Sequence, residues 1–354
     1  MKSIGKVFVF LLISFIGIIN VYALDEWGIE IFDDESIKVY QGSKDNIYVG
    51  DTTGIYSYDA DTNTLTLKEG IQYLEVISAN ENETFKVTSG GKKVYLNMVY
   101  GPKVTLENLV SESFSPESTY AWDNVVHGNT STLRIVTHIH AQDLIIKDSN
   151  IKLDYNGSVV YDNNVHILKN TTTPTLGNIV IQNSIFEING SFTIDNNDST
   201  QNANIITIKD NSTVKTVSMG TEKQKGYDKL YVIDSKLEVH HNEIEEFDGQ
   251  KGSSTIAFTS INIDNSDVLT NSLWFAGDIN IINNSNVFYN DSVEKYDLIA
   301  VQAQTFIINN SNVDFAGAVL VNTLQMTNSE LSCETGPNAK VLEAYGYDGS
   351  TESL

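Results

Sequence analysis

The chain has 354 residues, 41% apolar and 19% charged, with 46 acidic against 22 basic residues and a formal net charge of −24. That apolar share excludes a disordered acidic tail, and the charge opposes nucleic acid, anionic lipid and polyanionic polysaccharide as partners. A single cysteine, Cys333, excludes an internal disulfide, so packing and hydrogen bonds must hold the fold.

Residues 1–23 have the three parts of a secretory signal. Lys2 and Lys6 make a basic start, Val7 to Ile19 an apolar run, and Val21-Tyr22-Ala23 a small-residue cleavage pattern. The apolar run is shorter than the roughly 20 residues a membrane span requires. Export with cleavage before Leu24 is expected, with no membrane insertion afterwards. Two lysines leave with the signal and no acids, which deepens −24 to −26.

Residues 24–109 read as an N-terminal β module that caps the repeats C-terminal to it. "YSYDADTNTLTL" (Tyr56 to Leu67) alternates on both sides of a turn and predicts a hairpin. Asp59, Asp61 and Asn63 start like a calcium loop, but Thr64 stands where glycine is needed and Gly70 where a bidentate glutamate is needed. A turn explains them; no cofactor is expected, and weak surface Ca²⁺ binding is all that is left open. "YLEVIS", "TFKVTS" and "KVTLENL" add strands that begin or cap the next unit. Residues 110–131, polar and containing Pro116, form the loop or boundary. Tyr120 and Trp122 there either stack on a sugar ring or close over the end of a core.

The strand "LRIVTHIHAQD" comes next. Alternation puts Arg134, His138, His140 and Gln142 on one side and Ile135, Thr137, Ile139 and Ala141 on the other. Arg134, the only arginine, joins Tyr120 and Trp122 as a candidate ligand contact. His138 and His140 are candidate metal ligands, with Asp143 as a third; a solvated outer strand is the plainer reading of so short a ligand set.

From residue 132 to 335 one pattern recurs: a short period-2 strand, an Asn or Asp followed by Ser, and a second short strand. Its polar steps fall at Asp148, Asn183, Asn211, Asp234, Asn265, Asn284, Asn310 and Asn328, separated by 35, 28, 23, 31, 19, 26 and 18 residues. A coil of about 18 residues holds three short strands with tight turns. A repeat of this kind argues for a solenoid over a hairpin-built sandwich. Asn tolerates the left-handed backbone of a tight bend, and its amide would pair with the Asn above and below in a ladder that satisfies buried polar groups. Longer steps would release their extra residues as loops on one side. Residues 336–354 read as a C-terminal tail, and Cys333 as a small buried apolar residue.

The repeats resemble the right-handed parallel β-helix of the pectate-lyase-like superfamily and of bacterial surface passenger domains, over Leu133 to Leu331. The opening segment looks like that of bacterial secreted surface proteins whose "YDxxTNTLTL" hairpin leads into solenoid repeats. The resemblance implies an all-β parallel β-helix with an N-terminal β cap. The hydrolase signatures of the superfamily (Asn-Thr-Asp, Asp-Asp, Gly-His-Gly, Arg-Ile-Lys) are missing from the repeats, and one arginine is little to neutralise an acidic polymer. The expected role is a secreted or cell-surface, non-catalytic, adhesin-like or glycan-binding scaffold, whose partner is an extracellular polysaccharide or cell-surface glycan. A lyase or hydrolase on the same fold and a structural surface-layer component are the alternatives. The sequons, among them Asn211, Asn283 and Asn309, coincide in part with the turns. The sequence leaves the oligomeric state open.

Overall fold

The computed structural model describes residues 27–31, 37–41, 48–49, 56–59, 61–68, 74–78, 84–94, 96–111, 138–153, 163–167, 178–188, 190–194, 204–221, 228–239, 255–270, 273–289, 299–315, 317–333 and 342–347. The signal segment, Tyr120, Trp122 and Arg134 lie outside these residues. All the secondary structure among them is β.

The chain winds as a right-handed parallel β-helix with three faces. Faces A and B belong to one 20-stranded sheet, and face C is a separate 10-stranded sheet. Several long strands cross from A to B, such as His138–Lys147, Leu273–Ile282 and Ile299–Asn309. Where they cross, pairing lapses at one residue and the inward alternation slips. In His138–Lys147 the buried positions are Ile139 and Ala141, then Leu144 and Ile146. In three middle coils the crossing is broken and each face keeps its own strand, as in Asn163–Ile167 and Asn178–Gln182.

The register makes columns. On face B, Val104, Leu144, Ile179, Ile206, Leu230, Ile261, Ile279, Phe306 and Leu324 stack from coil to coil, each at most 1% exposed. On face C, Ile151, Phe186, Val214, Leu237, Val268, Val287 and Val313 do the same. β-branched and aromatic residues suit such columns because each packs against its like in the strands above and below. Edge-on ring pairs join faces A and C inside the core: Phe186 with Phe192 at 5.4 Å and Trp274 with Phe315 at 5.3 Å. A prism filled in this way stabilises itself through neighbouring coils alone.

The N-terminal end closes the stack with antiparallel pairs. Trp27–Ile31 pairs with Ile37–Gln41 and with Tyr48–Val49, and Tyr56–Asp59 pairs with Thr64–Leu67. Parallel stacking then begins inside the N-terminal segment, Ile37–Gln41 on Leu74–Ser78 and Thr64–Leu67 on Phe85–Thr88, and runs into the repeats without a break. At the other end Leu342–Tyr347, within the C-terminal tail, adds one more parallel strand to Ala318–Thr327.

Two expectations need correction. Extra residues enter at two corners rather than on one side. They fall between faces A and B (168–177, 195–203, 222–227) and between face C and the next face A (154–162, 240–254, 290–298). The corner between B and C takes none of these long insertions. Cys333 is half-buried against the end of the core rather than enclosed.

Candidate functional site

The B–C corner is the most regular feature of the molecule. Asp148, Asn183, Asn211, Asp234, Asn265, Asn284, Asn310 and Asn328 all adopt left-handed backbone, with φ between 45° and 63°. Asn108 does so as well, at φ 50°. The sequence hides this ninth position because Leu109, not Ser, comes after it.

The buried ladder belongs to serine, one residue after each expected position. All eight Asn and Asp corner residues are exposed, whereas Ser149, Ser184, Ser212, Ser235, Ser266, Ser285 and Ser311 are buried. Each of these serines donates its backbone N–H to the Oγ of the serine one coil on, at 3.0–3.2 Å, the last acceptor being Ser329. Leu109 N–H starts the series by donating to Ser149 Oγ at 3.1 Å. In Ser149, Ser184, Ser212, Ser266, Ser285 and Ser311 the hydroxyl proton goes to a strand-end carbonyl, for example Ser149 Oγ to the Lys147 oxygen at 2.7 Å. A small side chain that both donates and accepts is what a cramped, dry corner requires. The exposed amides pair on the outside: Asn183 Nδ2 with Asp148 Oδ1 at 2.7 Å, Asn265 Nδ2 with Asp234 Oδ1 at 2.6 Å, and Asn328 Nδ2 with Asn310 Oδ1 at 3.2 Å.

Face C carries a second row of amides towards the C-terminal end. Asn286 Nδ2 donates to Asp267 Oδ1 at 2.9 Å, and Asn312 Nδ2 donates to Asn286 Oδ1 at 3.4 Å. Two residues along, Phe288 stands in register with Leu269 and is 47% exposed. Nearer the N-terminal end, charges alternate on the same face in the register Lys152, Glu187, Lys215, Glu238. Lys152 and Glu187 approach to 3.1 Å.

The other candidates are scattered over the stack. His138 and His140 occupy the positions of face A that alternate with buried Ile139 and Ala141. Asp143 lies beyond the lapse in pairing, on the face B side, where its Oδ1 accepts the Asn178 N–H at 3.0 Å. Asp59 closes the hairpin turn, accepting Asp61 N–H and Thr62 Oγ1–H, and the Thr62 bond first of all lowers its pKa. Asn63 Nδ2 ties that turn to the Thr84 carbonyl at 3.0 Å. Glu107 joins two coils by binding Lys86 at 2.5 Å and Lys147 at 3.1 Å, and the hydrogen bond from Lys86, then that from Lys147, holds its pKa low. No group of three or more His, Cys, Asp or Glu able to hold a metal is found among the residues whose side chains are described.

Compared with known proteins, no family model, curated protein or solved structure matches the chain.

Proposed function

We propose that the protein is a secreted, non-catalytic β-helix scaffold of the cell surface that binds a neutral glycan along face C. The observation that carries this reading is the polar row of the Asp267 carboxylate and the Asn286 and Asn312 amides beside exposed Phe288. Amides offer donors and acceptors to sugar hydroxyls, and an aromatic ring offers a flat apolar surface to a pyranose. Parallel strands hold the members of the polar row at a repeat of about 4.8 Å, which suits an extended polymer lying across the coils. The formal charge of −24 favours an uncharged glycan over a polyanion. Insertions at the other two corners offer segments for adhesin-like contacts without disturbing the stack.

Affinity electrophoresis through gels cast with neutral polysaccharides tests this. Slowed migration is expected in at least one gel, with the polymer left intact. Phe288→Ala should weaken the retardation about fivefold to tenfold, since stacking on a ring is worth roughly 1 kcal/mol. A cleared track would overturn the non-catalytic reading. Unchanged migration in every gel would overturn glycan binding.

A further inference from the structure

Three of the chain's six histidines are gathered on two adjoining strands. In face A, His140 of His138–Lys147 is in direct register with His166 of Asn163–Ile167. His138 is two residues before His140 on the first strand and pairs with Asn164 on the second. Ile139 and Ala141, 1% and 2% exposed, take the alternate, inward positions. His138 and His140 therefore hold outer-face positions, and His166 shares that face through its register with His140.

Only the β-helix makes this grouping. His166 is 26 residues from His140 in sequence, yet their strands lie about 4.8 Å apart in a parallel ladder. His138 and His140 are separated by two strand steps, about 6.6 Å. Backbone positions at such spacings are those from which three histidines can serve one ion, whose bonds to nitrogen are about 2.0–2.1 Å. Asp143, the oxygen donor suggested by sequence proximity, is carried past the A–B corner and engaged by Asn178. Its place in the set falls to His166.

We propose that this juxtaposition of His138, His140 and His166 is a binding site for a divalent transition-metal ion of the zinc class. Three neutral imidazoles suit zinc, copper or nickel better than calcium or magnesium, and they leave a fourth position open to water or an external ligand. The acidic surface of the protein raises the local concentration of cations. The inference stands independently of glycan binding, which was assigned to face C.

The test is calorimetric titration of the metal-free full chain with Zn²⁺, alongside Co²⁺ absorption spectra to report the ligand field. One ion per chain is expected, with the cobalt bands of a low-coordinate, nitrogen-rich site. His166→Ala should weaken binding by at least about tenfold, and so should His140→Ala. The pair His240→Ala and His241→Ala, elsewhere in the chain, should leave it unchanged. Affinity should also fall as pH drops below about 6.5, where imidazoles protonate. Circular dichroism checks that each variant keeps its β-structure; should His166→Ala lose it, His166→Gln replaces it. Absence of one-to-one binding, wild-type affinity in the folded His166 variant, or loss of binding in the His240/His241 control would each overturn the proposal.

Discussion

At Asn310 the backbone has φ 49° and the side chain is exposed, so this residue serves the corner through its conformation more than through burial. Left-handed backbone costs an ordinary L-residue roughly 1–2 kcal/mol, much less for Asn and nothing for Gly. Asn310→Ala should therefore lower the unfolding free energy by about 1 kcal/mol, while Asn310→Gly should fall within about 0.5 kcal/mol of wild type; urea denaturation of both variants checks the contrast. Ser285 behaves differently. Fully buried, its Oγ accepts the Ser266 N–H at 3.2 Å and donates to the Ile282 carbonyl at 2.6 Å. Ser285→Ala strands the Ser266 N–H and should cost about 1–3 kcal/mol. Equal effects at Asn310→Ala and Asn310→Gly, or a neutral Ser285→Ala, would contradict these roles. The Asn step is plain in the sequence because Asn and Asp mark bends. Its buried neighbour is harder to see, since a serine beside an asparagine reads as turn chemistry whether or not water reaches it.

Single elements show where local sequence stops being enough. The heptapeptide IINNSNV occurs at 281–287 and again at 307–313. Ile281 is buried in the first copy but Ile308, the second isoleucine, in the second, and these two residues are register partners. The first copy thus has one residue more in its turn, and both Asn283 and Asn284 go left-handed to absorb it. Ser285 accordingly bonds back three residues, whereas Ser311 bonds back two. The deciding signal lies upstream: Ile279 commits one strand's alternation and Phe306 the other's. The three-strand coil is legible from period-2 runs, but the A–B corner is not, because no common residue marks the slip in alternation: Pro102 and Gly277 stand there in two strands, Gln142, Thr259, Gln304 and Asn322 in the others. Nor is the His140–His166 register legible, since it depends on how many residues the intervening coil takes up. Gly220 marks another constraint of this scale. With φ 125°, a Cβ there would lie 2.1 Å from the Ala257 carbonyl oxygen in the next strand. Gly220→Ala should destabilise the protein by about 3 kcal/mol or more and broaden its thermal transition; a transition unchanged in midpoint and width would refute the close approach.

For the molecule as a whole, stability is distributed along a stack whose coils depend on their neighbours, and conditions at one end therefore matter. Cys333 lies in the last strand of face C, and its thiol pKa is pushed up to about 11, by burial first and by the charge of Asp314 second. The folded chain keeps that proton to higher pH than the unfolded one, whose value is near 9.0. This contribution to stability is intact below pH 9 and is lost as the pH rises towards 11. At pH 8 a thiol reagent should label the native protein much more slowly than the unfolded chain; equal labelling rates would place Cys333 in open solvent. The uninterrupted B–C corner carries a seam of serines that passes from coil to coil while the other corners accept insertions. Hydrogen exchange read residue by residue is the most direct measurement of that seam. The backbone amides of Ser149, Ser184, Ser212, Ser235, Ser266, Ser285 and Ser311 should rank among the slowest in the chain and exchange through shared, large-scale openings. Fast, independent exchange at these serines, with the strands beside them still protected, would contradict the serine ladder as the spine of the β-helix.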